Sequence, residues 1–206
     1  AGIPLVVHDV DENKTIEHEK AGAEVLYSPM EVANASDRTI CLVETTRQVE
    51  EVICGERGII HGAKPGHIVI CMSTIDPTVA KRIASDLLLQ EILMLDAPVS
   101  GGTARAQAAD LTVIAGGEKK VFDQCKDIFE AIGKDAFYIG DHGQGLVMKL
   151  INNMLGITNT ITLIEGLTIG AKSGIGLQTM LDVFRKSSGA SACLLYTSDA
   201  ADDETS

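Results

Sequence analysis

The stretch HIVICMSTIDPTVAKRIASDLLLQEILMLDA, residues 67–97, decides the fold. Residues 67–72 form an apolar, β-branched run launched by the Pro65-Gly66 turn, the pattern of a buried strand. Residues 77–89 read as a helix with proline in its first turn, where a missing N–H is tolerated. Residues 91–97 are apolar again and read as another strand. The same alternation runs outward in both directions. Upstream lie predicted strands at 5–8, 24–27 and 38–43, a polar helix at 12–21 and a helix at 46–54 ending near Gly55. Downstream, a strand at 111–115 is closed by Gly116-Gly117. A helix follows at 118–132, with Val121, Phe122, Cys125, Ile128 and Phe129 at helical spacing, and a last strand at 137–139. Strands alternating with helices predict an α/β fold with a doubly wound, mostly parallel sheet.

After Gly145 the pattern changes. Residues 146–172 contain no proline and no strand signal, and are apolar on nearly every side. That predicts a helix buried along much of its length. A second helix is predicted at 177–186, after the Ser173-Gly174-Ile175-Gly176 break. The domain reading is an α/β domain at 1–141 and, at 142–192, an inter-domain helix with the start of an all-helical domain. Residues 193–206, beginning CLLYTSDAADD, break the pattern. They resemble the translation of a transposon-type sequencing-library adapter and are set aside as non-native.

The chain has 206 residues, 45% of them hydrophobic, enough for one domain and part of another. No apolar run is read as long enough to span a membrane. The net charge of −12 argues against nucleic acid and anionic membranes as partners. The last residues hold four acids (Asp199, Asp202, Asp203, Glu204) and no base, so −12 less these four leaves −8. Five scattered cysteines with no CxxC pair suit a reducing, cytoplasmic location and argue against zinc. His8, Asp9 and Asp11 have no partner cluster, and no metal site is predicted.

Ligands of open α/β sheets bind beyond the carboxyl ends of the strands. Asp9 ends the first strand. There an acid can hydrogen-bond a dinucleotide ribose and repel a 2′-phosphate, favouring NAD over NADP, or simply hold a turn. The GxGxxG loop is absent. It would lie about 20 residues upstream, before residue 1. Ser73-Thr74 ends another strand and could touch a cofactor or cap the helix at Pro77. In DAPVSGG (residues 96–102) a strand ends in Ser100, Gly101 and Gly102, which could cradle a carboxylate or form a plain loop. Finally, Lys149, Asn152 and Asn153 share one face of an otherwise apolar helix. They are either chemistry, or a lysine reaching solvent beside asparagines at a domain seam.

DAPVSGG, LTVIAGG (residues 111–117) and GQGLVMKLINN (residues 143–153), in this order, resemble the β-hydroxyacid dehydrogenase family. STIDP (73–77) and SDRTICLVETTRQVEEVICGERGI (36–59) fit the same pattern, so the resemblance covers residues 1–192. It implies a Rossmann-type NAD-binding domain, here without its first strand and glycine loop. The implied activity is NAD-linked interconversion of a short β-hydroxy acid and its semialdehyde, of the 3-hydroxyisobutyrate or 2-hydroxy-3-oxopropionate type. The resemblance assigns Lys149 as catalytic acid/base, Asn153 as its substrate-orienting partner, and Ser100, Gly101 and Gly102 to the substrate carboxylate. It places Thr74 at the nicotinamide half and Val43-Glu44 beside the cofactor, where Glu44 departs from the family's Leu-Pro. The partner is a small hydroxy acid or semialdehyde, with NAD as cofactor, and the long apolar helix suggests a homo-oligomer at full length. A non-catalytic dinucleotide-binding scaffold and an imine-reducing relative are the alternatives. The retained Lys149 counts against the latter.

Overall fold

The computed structural model describes residues 2–191 and Leu194. The stretch 193–206 read as non-native lies, Leu194 apart, outside the described residues. The chain forms two compact units that divide after Lys149.

The first unit is an α/β layer structure. A small parallel ribbon joins β1 (Val6–Val7) to β2 (Glu24–Val25), and the His8 ring nitrogen Nδ1 lies 3.0 Å from the Leu26 carbonyl. The main sheet begins with three parallel strands, β3 (Arg38–Cys41), β4 (Ile68–Cys71) and β5 (Leu93–Asp96). Their register sets Cys41, Cys71 and Asp96 side by side, so all three end at one level. β7 (Leu111–Gly117) is antiparallel to β5 and to β6 (Val99–Ser100), and β8 (Gly133–Gly140) runs parallel to β7. The sheet is therefore mixed, with its parallel pairings predominating. Pro98, which has no N–H to give a ladder, separates β5 from β6.

Helices cover both faces because successive side chains of a strand point to opposite sides. Val69 and Cys71 of β4 pack with Val49 and Ile53 of α3 (Thr46–Cys54) and with Ile83 and Leu87 of α5 (Pro77–Leu88). Ile68, Ile70 and Met72 face the other way. They pack with Val121 and Phe122 of α7 (Lys119–Gln124) and Phe129 of α8 (Lys126–Ile132). This is the doubly wound arrangement the alternation predicts.

Caps set the helix starts. Thr45 and Gln48 form a reciprocal capping box at α3, with Gly55 just past its end. Asp76 accepts the Thr78 N–H at 2.7 Å ahead of Pro77 at α5. Three helices were not expected: α2 (Pro29–Asn34), α4 (Ile59–Gly62) and α6 (Gly102–Gln107). For α2 the signal was present. Ser28 accepts the Glu31 N–H, and the Glu31 carboxylate accepts the Tyr27 N–H.

Other expectations need correction. The polar helix read at 12–21 is a 3₁₀ turn at Glu12–Lys14 followed by α1 (Ile16–Lys20). Asp11 caps the turn, and the Thr15 hydroxyl donates to the Glu12 carbonyl at 2.8 Å. The single helix read at 118–132 breaks at Cys125. There the Gln124 carbonyl accepts from the Arg38 guanidinium at 3.0 Å rather than completing a helical bond, and the same guanidinium grips both oxygens of Asp127. The strand read at 111–115 continues through Gly116 and Gly117. The last strand is eight residues long because it follows β7 along its length.

The second unit holds most of α9 (Gln144–Lys172) and α10 (Leu177–Lys186) around a small core of Leu163, Leu181 and Leu194. Here the sequence reading fails. Leu150, Ile151, Met154, Leu155, Ile157, Ile161, Ile164 and Ile169 are exposed, not buried. Contrary also to the reading of the apolar runs, α9 is long and apolar enough to cross a membrane by length and composition. A core helix passes the same test.

Candidate active site

The site is built at the level where β3, β4 and β5 end. At β4 the structure separates Ser73 from Thr74. Buried Ser73 accepts the Val43 N–H at 2.7 Å, tying the end of β3 to the end of β4. Thr74 is exposed, and its hydroxyl has no hydrogen bond to the described residues. Neither caps the following helix, because Asp76 does. Val43 is half-buried with its N–H committed to Ser73, so only its carbonyl and side chain could meet a ligand. Glu44 next to it is exposed. Thr46 adds a second tie between the strand ends by accepting the Asp76 N–H at 3.3 Å.

Asp9 follows β1. One carboxylate oxygen accepts the Asp11 N–H at 2.9 Å, so the turn role exists, and Oδ2 has no hydrogen bond among the described residues. The residues fit a dinucleotide: a half-free carboxylate after β1 can accept from ribose hydroxyls, and an unpaired hydroxyl follows β4.

Ser100, Gly101 and Gly102 make the turn from β6 into α6. Both glycines have positive φ, 140° and 68°. A Cβ on Gly101 would sit 2.9 Å from the Arg105 Cβ and 3.1 Å from Leu111, while beside Gly102 the space is open. Glycine is therefore required at 101 and favoured at 102, and the Ser100 hydroxyl beside them has no partner among the described residues. The arrangement can present a hydroxyl and backbone N–H groups to a carboxylate.

Lys149 lies near the start of α9 and is 8% exposed. Among the described residues it has no hydrogen bond and no ion pair. Burial alone pushes its amine below the usual lysine range, because a charged ammonium loses water it cannot replace. Asn153 follows one turn later on the same helix, half-buried, and Asn152 is exposed.

One buried residue next to the site escaped the sequence reading. Asp96, fully buried at the end of β5, accepts the Gly143 N–H at 2.7 Å and the Leu146 N–H at 3.1 Å. It thereby caps α9 from across the fold. Burial raises its carboxyl pKa, while these two N–H groups and His142 oppose the rise. The approach is so close that a Cβ on Gly116 would lie 2.9 Å from Asp96 Oδ1, and one on Gly145 2.7 Å from the Asp96 carbonyl. The His142 ring adds a contact to the Met94 carbonyl at 2.9 Å. The DAPVSGG motif held the only sequence signal for Asp96, and its partners lie 47 and 50 residues away.

A doubly wound α/β sheet whose central parallel strands end at one level is the architecture of a nucleotide-binding domain. The particular family follows from comparison with known proteins. The family described as the NAD binding domain of 6-phosphogluconate dehydrogenase matches residues 1–140. That described as the NAD-binding region of NADP-dependent 3-hydroxyisobutyrate dehydrogenase matches residues 143–201. Mitochondrial 3-hydroxyisobutyrate dehydrogenase of Mus musculus is 35% identical over 188 residues, covering 91% of this chain and 56% of that protein. The structure of Mycobacterium tuberculosis 3-hydroxyisobutyrate dehydrogenase with L-serine superposes with a TM-score of 0.86 at 26% identity, covering 93% of this chain and 65% of that one. That of 3-hydroxyisobutyrate dehydrogenase from Salmonella typhimurium superposes at 0.85 with 30% identity, covering 98% and 71%. The chain belongs to the β-hydroxyacid dehydrogenase family, and it spans 56% of the length of the mouse relative.

Proposed function

We propose that the full-length protein is an NAD-dependent oxidoreductase interconverting a short β-hydroxy acid and its semialdehyde, of the 3-hydroxyisobutyrate or 2-hydroxy-3-oxopropionate type. The observation that carries this reading is Lys149: a buried amine without a carboxylate partner among the described residues, its pKa lowered by burial, in a chain of this family. A bound nicotinamide supplies or accepts the hydride. In reduction the Lys149 ammonium hydrogen-bonds the carbonyl oxygen, stabilises the developing alkoxide and gives it a proton. In oxidation the neutral amine takes the hydroxyl proton. Burial lowers the pKa, so the neutral amine is reached at a lower pH than for an exposed lysine.

Ser100 and the N–H groups of Gly101 and Gly102 hold the substrate carboxylate, and the Asn153 amide orients the reacting oxygen. Asp9 accepts from the ribose hydroxyls and disfavours a 2′-phosphate, which selects NAD over NADP. Thr74 contacts the nicotinamide half, and Val43 and Glu44 lie beside the cofactor. The free thiols Cys41, Cys54, Cys71 and Cys125 support a reducing compartment, here the cytoplasm. The exposed apolar stripe of α9 supports a homo-oligomer, which light scattering of the full-length protein tests.

The experiment for the activity is NADH and NADPH oxidation by the full-length protein with a panel of short semialdehydes, wild type beside Lys149→Ala. Turnover that prefers NADH and collapses without Lys149 is expected. Turnover that survives the substitution moves the acid elsewhere and favours imine-type chemistry, and cofactor binding without any turnover favours a scaffold.

A further inference from the structure

We infer that Asp96 is a positioning residue that acts through Lys149, by fastening the first turn of α9 to the end of β5. This rests on the role proposed for Lys149.

The geometry is specific. The two carboxylate oxygens divide two donors between them: Oδ1 takes the Gly143 N–H and Oδ2 takes the Leu146 N–H. Both are among the N–H groups at a helix start that have no partner within the helix. A carboxylate there also faces the positive end of the helix dipole. Leu146 is itself fully buried in the sheet core, and Lys149 lies three residues on, one turn along the same face. The reach of the amine is therefore set by the anchored turn. Gly116 and Gly145 leave no room for a side chain between the helix start and the strands, so the helix seats on backbone. Among the described residues nothing else grips the Lys149 amine. Its placement then depends on the helix beneath it, and the helix start depends on Asp96.

Asp96→Asn tests the idea with the least change of shape. The amide keeps one acceptor, but turns an NH₂ group towards one of the two N–H donors. One bond is lost and replaced by opposed donors.

The first measurement is acylation of lysines in the present chain by a small activated ester, mapped by peptide mass spectrometry well below the unfolding temperature of the variant. Asp96→Asn is expected to change the rate at Lys149 by about fivefold or more. Lys120 and Lys186, exposed on other helices, should keep their wild-type rates. An unchanged rate at Lys149 overturns the inference.

The second is a double-mutant cycle on kcat in the full-length protein. Asp96→Asn should lower kcat roughly tenfold or more while KM stays within about twofold. In the Lys149→Ala background it should lower kcat no further. Equal losses in both backgrounds would make Asp96 merely structural and overturn the inference. If Lys149→Ala alone leaves kcat intact while the acylation rate still responds to Asp96, the catalytic reading of Lys149 fails. The mechanical link between the two residues then stands alone.

Discussion

Two segments of one helix make the sharpest comparison in this molecule. Residues 144–149 and 150–172 both belong to α9, and large apolar side chains make up about half of the first and a comparable share of the second. In the first, Gly145, Leu146 and Lys149 are buried, so even a lysine is taken out of water, while Val147 and Met148 on its other side are exposed. In the second, most of the large apolar side chains are exposed, and Leu163 is the only one buried. Hydrophobic content does not separate them. The first segment has a buried carboxylate to cap it and glycines on both sides of its contact with the sheet. In the described structure the second has neither. Burial followed the fastening, not the composition.

The largest expected effect lies in the fastened segment. Lys149→Ala should lower kcat of the full-length protein by about 10²–10⁴-fold, the usual worth of a positioned acid/base, with cofactor affinity unchanged. In the oxidative direction the wild-type rate should rise with pH as the amine loses its proton. The rise should be centred below the ordinary lysine value of 10.5, because burial lowers this pKa. A rate independent of pH across that range would remove Lys149 as the base.

Next come paired glycine substitutions, one in each segment. Gly145→Ala drives a Cβ to 2.5 Å from the Ile114 carbonyl and 2.7 Å from the Gly116 nitrogen. Backbone cannot swing aside, so a loss of about 1–3 kcal/mol is expected, read as a lowered denaturation midpoint. Gly156→Ala meets nothing within 4 Å and should stabilise by about 0.5–1 kcal/mol, since glycine is the poorer helix former. Effects of the same sign would break the comparison.

The smallest effect is a slope. Because the folded-state pKa of Lys149 is lowered, the folded chain releases this proton before the unfolded chain does. Stability should rise with pH from the lowered pKa up to about 10.5, where the unfolded lysine also deprotonates. Below that window both states hold the proton, and the folded state bears the full burden of a buried charge. Lys149→Met should abolish this part of the slope, measured by urea denaturation across alkaline pH, and be no less stable than wild type at neutral pH.

How much was legible beforehand depends on distance along the chain. The bounds of α3 were read as they are, because Thr45, Gln48 and Gly55 are local signals that act within a turn of the helix. Pro77 marked α5 in the same way. The break at Cys125 was not legible, because Arg38, the residue that draws off the Gln124 carbonyl, comes from a different strand. Gly116 and Gly117 were read as the end of a strand, yet they continue it, since their bare backbone lets β5 and α9 approach.

The site divides along the same line. A lysine beside asparagines on an apolar helix violates the local pattern and singles out Lys149, but only the family resemblance of the surrounding motifs assigns it catalysis. The glycine turn at 100–102 stands out in sequence because glycines after a strand end let backbone approach an anion, and the resemblance assigns it the carboxylate. Periodicity, caps and turn residues act over a few neighbours, so the amino-acid order alone determined the alternating α/β fold, the change at Gly145 and the oddity of a lysine at position 149. The folded chain alone decided that Asp96 caps a helix 47 residues later, that Ser73 rather than Thr74 ties two strand ends, and which part of α9 is buried. Those outcomes depend on which backbone comes within hydrogen-bonding distance of which, and pattern along the chain does not encode that distance.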